Sequence, residues 1–291
     1  MQQLMNNGHV SAIGRAGSQL AAGPAANEWA NGYDYYCWLK RQNAAPDFAA
    51  LSGELAALAK RVIGRRGLTV SVTGMPCPAV DEALAALLAA LPEGESVSGP
   101  GIAARGVLRE GIEIPSDVGY AAMGALGGKF DGRWQLAGRV VSLEYLWNAV
   151  RVQGGAYGTG MVTRVNGFDG CYSYRDPSAA KTLGIYEKVP EFLRAFAASG
   201  ADIAGLITGA ISAGEPLLTA RAKGEEADDL YFRGITHEMR RERRAQMLAG
   251  TNADLAAVAE ELESIFARPG VCVLAPRAEL GRCALDEIST C

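Results

Sequence analysis

The dipeptide Asn166-Gly167 restricts the fold of this 291-residue chain more than any other feature. Two strands flank it, and Asn-Gly is the favoured pair for a two-residue type I′ hairpin turn because both central residues need positive φ. That turn predicts Val165 facing Phe168 and Arg164 facing Asp169, an opposite-charge cross-strand pair that supports the register. Counting back, Met161 is expected opposite Tyr172 and Thr159 opposite Tyr174. Side chains alternate along a strand, so Tyr157, Thr159, Met161 and Thr163 share one face.

Around the hairpin the pattern is mostly helical. Residues up to about Arg65 are Ala- and Leu-rich, and Phe48, Leu51, Leu55, Leu58 and Val62 mark one apolar helical face. Leu68 to Thr73 alternates as a strand and ends at Gly74 and Pro76-Cys77-Pro78. A helix from about Val80 to Leu91 follows. Residues 93–104 carry Gly, Ser and Pro without periodicity and form the best linker, so domains are expected at 1–92 and 105–291. Ile112 to Met123 reads as a strand broken by Gly124, Gly127 and Gly128. Arg133 to Val150 reads as a helix apolar on nearly every side, which is usually a buried one. Asp176-Pro177 resembles an N-cap followed by proline at the first helical position. Helix is expected from there to about Ala198, with a break at Pro190. Helices over 201–222 and 236–267 and a closing strand, Val271 to Leu274, complete the chain. A hairpin set among long helices is an α+β layer, not a βαβ array.

Composition narrows the function classes. With 28 basic and 32 acidic residues the net charge is -4, so no basic excess exists to follow a phosphate backbone. The run Arg240, Arg241, Arg243 and Arg244 is interrupted by Glu242 and reads as a solvated helix face. Neither a signal peptide nor an apolar stretch of membrane-spanning length is visible. Six scattered cysteines without a C-x-x-C pair read as reduced thiols, which with these features suggests a cytoplasmic protein that binds neither nucleic acid nor membrane.

The usual catalytic motifs are missing. His9 and His237 are the two histidines, and His237-Glu238 is followed by Arg241 where H-E-x-x-H needs a second histidine. No zinc site is therefore expected from this chain. Gly-x-Ser-x-Gly is absent, and no cysteine sits in an activating context. What remains is Trp147-Asn-Ala-Val-Arg151-Val-Gln-Gly154-Gly155-Ala-Tyr157-Gly158. One reading is a helix end stopped by glycine, with Arg151 offsetting the helix dipole. The other sets a guanidinium and a phenol about one helix end apart, able to grip a carbonyl or a developing oxyanion.

The same residues carry a resemblance. Tyr145-Leu-Trp-Asn-Ala-Val-Arg151-Val-Gln-Gly-Gly-Ala-Tyr157-Gly, then Ser173-Tyr-Arg175-Asp-Pro177 and Thr182, resembles the last domain of the presequence-protease branch of the insulinase/pitrilysin metallopeptidases. Gly8-His9-Val-Ser-Ala12, the stretch around Glu28 and Gly32, and Leu68 to Thr73 look like the end of the preceding domain. The resemblance implies an insulinase-like α+β domain with an antiparallel-rich sheet, preceded by a helical remnant with one strand. It implies a zinc endopeptidase of short unfolded peptides whose zinc lies in an N-terminal half that this chain lacks. It casts Arg151 and Tyr157 as groups that bind the substrate backbone and stabilise the tetrahedral intermediate, with Gly154, Gly155 and Tyr174 also in contact with substrate. Arg175 could instead lock the hairpin to the next helix. The expected partners are a peptide and the N-terminal half of the peptidase. Alone the chain should be inactive; a non-catalytic scaffold or partner subunit is the alternative.

Overall fold

The computed structural model describes residues 6–95, 99, 101–127 and 131–290. Six strands make one mixed sheet: β1 (Arg109–Glu113), β2 (Tyr120–Leu126), β3 (Gly158–Thr163), β4 (Phe168–Tyr174), β5 (Gly270–Ala275) and β6 (Glu287–Ser289). Their order is β3-β4-β2-β5-β1-β6. The β3-β4, β4-β2 and β2-β5 pairs are antiparallel, and β5-β1 and β1-β6 are parallel.

The expected strand from Ile112 to Met123 is two strands, not one. Pro115 has no N–H to give a ladder, and Ser116 turns the chain by donating its N–H to the Ile114 carbonyl at 3.0 Å. Strand β5 then inserts between β1 and β2, so it is central rather than closing, and all six of its residues are buried. Gly124 lies inside β2, where a Cβ would meet the Phe168 ring at 2.5 Å; it permits a close approach instead of breaking the strand. Gly128 lies outside the described residues.

The hairpin forms, with its register shifted by one. Gly167 has φ of +79°, whereas Asn166 does not enter the left-handed region. A type I′ turn is therefore not made. Gly167 donates its N–H to Arg164 O and Arg164 donates to Phe168 O, both at 2.9 Å, giving a three-residue loop with glycine in the left-handed position. Met161 consequently pairs with Cys171, Thr159 with Ser173 and Thr163 with Asp169. Burial agrees with this register: Met161 and Cys171 share one core, while Val162 and Tyr172 pack into the other.

Each face of the sheet has its own core. On one face Met123, Met161, Cys171, Val271 and Val273 meet Trp134, Leu136, Leu146, Val150, Leu193, Leu255 and Leu262 from the helices. On the other, Ile112, Tyr120, Phe168, Cys272 and Leu274 meet Ala12, Ile13 and Ala16 of helix α1 (Gly8–Ser18) and Tyr33. Helix α1 is therefore part of the sheet domain. It is also tied there by Arg15, 2% exposed, which donates to both carboxylate oxygens of Glu110 at 2.7 and 2.8 Å. Gln19 adds a bond to Val271 O at 3.0 Å.

Two compact units result: residues 1–40, 102–215 and 238–291 form one, and 41–101 with 216–237 the other. This division differs from the expected 1–92 and 105–291, because the apolar face of α1 is spent on the sheet. In the second unit the Phe48–Val62 helix forms as the periodicity predicts, yet none of its residues is buried, and Phe48 is 74% exposed. The helices Pro78–Ala90 and Ala220–Phe232 also bury nothing. Leu68 to Thr73 makes no strand: among the described residues no neighbour pairs with it, and a lone strand is not stable.

Two further expectations change. Helix starts at Ala179, not at Asp176; Asp176 instead accepts the Ser178 N–H at 2.8 Å, an Asx-turn just ahead of it. The reduced-thiol reading fails at Cys37, which is disulfide-bonded, although Cys77, Cys171, Cys272 and Cys283 are free.

Candidate functional site

The helix expected over Arg133 to Val150 is built in two registers. An α-helix, Gly132–Val140, passes directly into a π-helical segment, Val141–Val152. Its widened turn is evident at the end, where Gln153 donates to Asn148 O, five residues back, at 2.9 Å. Such segments are uncommon and frequent at functional sites. Ser142 fixes this one to the sheet, donating to Gly138 O at 2.6 Å and accepting the Met161 N–H at 2.9 Å. Leu146 and Val150 are fully buried beneath it. Leu143, Trp147 and Arg151, spaced by four, look outward, so the segment is not buried on all sides.

At the end of the segment the chain reverses in one tight turn. Gly155 donates to Arg151 O at 3.0 Å and Ala156 to Val150 O at 3.1 Å. Both glycines are demanded by the backbone. Gly155 has φ of +82°, and a Cβ on Gly154 would lie 2.5 Å from Val150 O. Tyr157 then donates its N–H to Tyr174 O at 2.9 Å and leads into β3. Arg151 and Tyr157 thus sit on the two limbs of one turn.

The two side chains are differently held. The Arg151 guanidinium lies over the Trp147 indole, with Cζ 4.0 Å from the ring centroid. No carboxylate pairs with it among the described residues. The Tyr157 side chain is 71% exposed and engages no partner among those residues. A free guanidinium fork and a free phenol beside the same turn can offer several hydrogen-bond donors to a carbonyl or an oxyanion.

Tyr174 is placed elsewhere. It packs with the core on the α1 side of the sheet, its ring 5.0 Å from His9 and 5.8 Å from Tyr120. That face is opposite to the one holding Met161 and Cys171, so Tyr174 meets Tyr157 through the backbone and not by a shared face. Arg175 follows with φ of +49°, the one described non-glycine residue with positive φ. Its guanidinium lies 5.6 Å from the Tyr174 ring, and Asp176 next to it bridges to Gly119 through two backbone bonds of 2.7 and 2.8 Å. This positive-φ residue marks the exit of the hairpin.

The features that sequence reasoning missed here are the Trp147 stack, the π register and the setting of His9. The first had a legible signal, an aromatic four residues before an arginine on a helix. His9 lies between Tyr172 and Tyr174, at 5.4 and 5.0 Å, and burial lowers its pKa below the ordinary value. Among the described residues no three His, Cys, Asp or Glu side chains come together as a metal ion needs. His237 is exposed at a helix start. No helix is long and apolar enough to cross a membrane.

An α+β domain with a helix-end arginine and a hairpin tyrosine beside one glycine turn defines a class, and comparison with known proteins supplies the family. The profile of the PreP C-terminal domain matches residues 109–275, more than half of the chain. The chain belongs to the presequence-protease C-terminal domain family. It is similar to presequence protease 1, chloroplastic/mitochondrial, of Arabidopsis thaliana, at 28% identity over 287 residues, covering 95% of this chain and 26% of that protein. Protein HypA of Clostridium perfringens is 25% identical over 277 residues, covering 93% and 28% respectively. The chain thus spans about a quarter of the length of these relatives. Among solved structures, a peptidase M16 inactive domain from Pseudomonas fluorescens aligns with a TM-score of 0.49 at 16% identity, over 69% of this chain and 51% of that one.

Proposed function

We propose that this chain is the substrate-gripping C-terminal part of a peptidase that hydrolyses short unfolded peptides. The observation that carries the reading is the pair of uncommitted donors, Arg151 and Tyr157, on the limbs of one rigid turn. A peptide carbonyl that becomes tetrahedral gains negative charge on oxygen, and donors already aimed at that position stabilise it without reorganising. The guanidinium supplies charge-assisted bonds and the phenol a neutral one. Gly154 and Gly155 serve by making the turn, and Tyr174 by anchoring its strand.

In the family that the sequence resembles, a zinc ion activates the attacking water. In this reading the metal and the general base belong to another part of the enzyme, and nothing in the scheme runs through a metal on this chain. Dependence on an N-terminal half is supported by the coverage of the relatives and by the uncovered apolar helices of the second unit. Titration of a short unstructured peptide, followed by anisotropy, tests the grip. Arg151→Ala should weaken binding about tenfold or more, as expected for a lost charge-assisted hydrogen bond. Equal affinity of the variant and the natural chain would refute the assignment.

A further inference from the structure

We propose that Trp147 is the positioning residue for Arg151, a platform that orders the guanidinium before any peptide arrives. The inference rests on the reading of Arg151 given above. Two other arginines of the same unit are held by carboxylates. Arg194 is held by Glu260 and Glu263, and Arg133 by Asp131. Such partners fix an arginine but occupy its N–H fork and offset its charge. Arg151 is held from its flat side instead, with Cζ 4.0 Å from the indole centroid. The N–H donors of a guanidinium lie in its plane and point outward from its edges, so stacking orders the group and leaves them available. Among aromatic side chains, tryptophan offers the strongest face for a cation.

The platform itself is anchored. Trp147 is 44% exposed, but it directly follows the fully buried Leu146, and Val150 is buried in the same segment. Tyr145, two residues earlier, donates to Ile185 O at 3.2 Å and stacks on Phe192 at 4.5 Å. The direction in which the indole leaves the backbone is thereby set by the core. The rotamer entropy of a long arginine is then lost during folding and not again when substrate binds, which is what preorganisation achieves.

Two measurements on the full chain test this. The Arg151 Nε–H resonance, assigned by its loss in Arg151→Lys, should show an upfield ring-current shift and a rigid heteronuclear NOE in the natural chain. Trp147→Phe should keep both and Trp147→Leu should lose both. In peptide titration Trp147→Leu should weaken binding, by less than Arg151→Ala does, with the double variant no weaker than Arg151→Ala alone. An unchanged Nε–H resonance in Trp147→Leu overturns the platform, and additive losses overturn its positioning role. If Arg151→Ala binds peptide like the natural chain, the site reading falls and the positioning role with it, while the Nε–H comparison still reports the stack separately.

Discussion

Arg15 and Glu110 form a buried bidentate pair, with bonds of 2.7 and 2.8 Å and exposures of 2% and 0%. The pair joins helix α1 to strand β1, residues 95 positions apart. Asp34 lies 2.9 Å from the same guanidinium, and Arg105 and Ser289 both reach Glu110 at 3.2 Å. Removing one partner of such a pair leaves the other charge buried, at a cost of about 3–5 kcal/mol. Glu110→Ala should therefore lower the unfolding free energy by about 3 kcal/mol in urea titration, Asp34 compensating in part. A loss below about 0.5 kcal/mol for Glu110→Ala would mean that the latch does not hold α1 to the sheet.

The glycine turn carries a second expectation. Gly155 sits at φ of +82° and Gly154 has no room for a Cβ. Alanine at either position should cost about 1 kcal/mol or more in stability, since a side chain is strained at positive φ or collides with Val150 O. Peptide affinity should fall with it, because Arg151 and Tyr157 hang on that turn. A stable Gly155→Ala protein with natural affinity would show that the turn does not position them.

His9 gives a pH dependence with a definite sign. Burial between Tyr172 and Tyr174 lowers its pKa below the ordinary 6.5, so the folded state prefers the neutral ring. The unfolded chain takes up the proton first as pH falls. Stability from this group is full above about 6.5, declines as pH drops below it, and levels off below the folded pKa. Comparing urea midpoints from pH 8 to 5, His9→Phe should remove that component of the decline. Parallel curves for the two proteins would contradict the burial of a neutral imidazole.

The sequence showed the elements better than their partners. The apolar spacing from Phe48 to Val62 marked a helix that forms, but periodicity cannot say whether an apolar face is covered, and here none of its residues is buried. Leu68 to Thr73 had the alternation of a strand without a neighbour to pair with. At Asn166-Gly167 the hairpin was legible and its register was not: the same dipeptide serves a two- or a three-residue loop, and the φ of Asn166 alone decides. Arg151 and Tyr157 stood out by motif, and the turn joining them followed from two glycines. The π register did not, because it changes hydrogen bonding over a dozen residues without leaving a distinct apolar period. Placement of α1 on the sheet was hidden for another reason, since it depends on Arg15 meeting a residue 95 positions away.

The account stands most directly on peptide cleavage by this chain combined with a polypeptide spanning the part of a presequence protease that it does not cover. With the natural chain, an unstructured peptide should be cleaved. Arg151→Ala and Tyr157→Phe should each lower kcat by roughly 10²-fold, the usual cost of losing an oxyanion donor, with the fold of the chain intact. Unchanged kcat in both variants would contradict the claim that this chain contributes these two residues to catalysis.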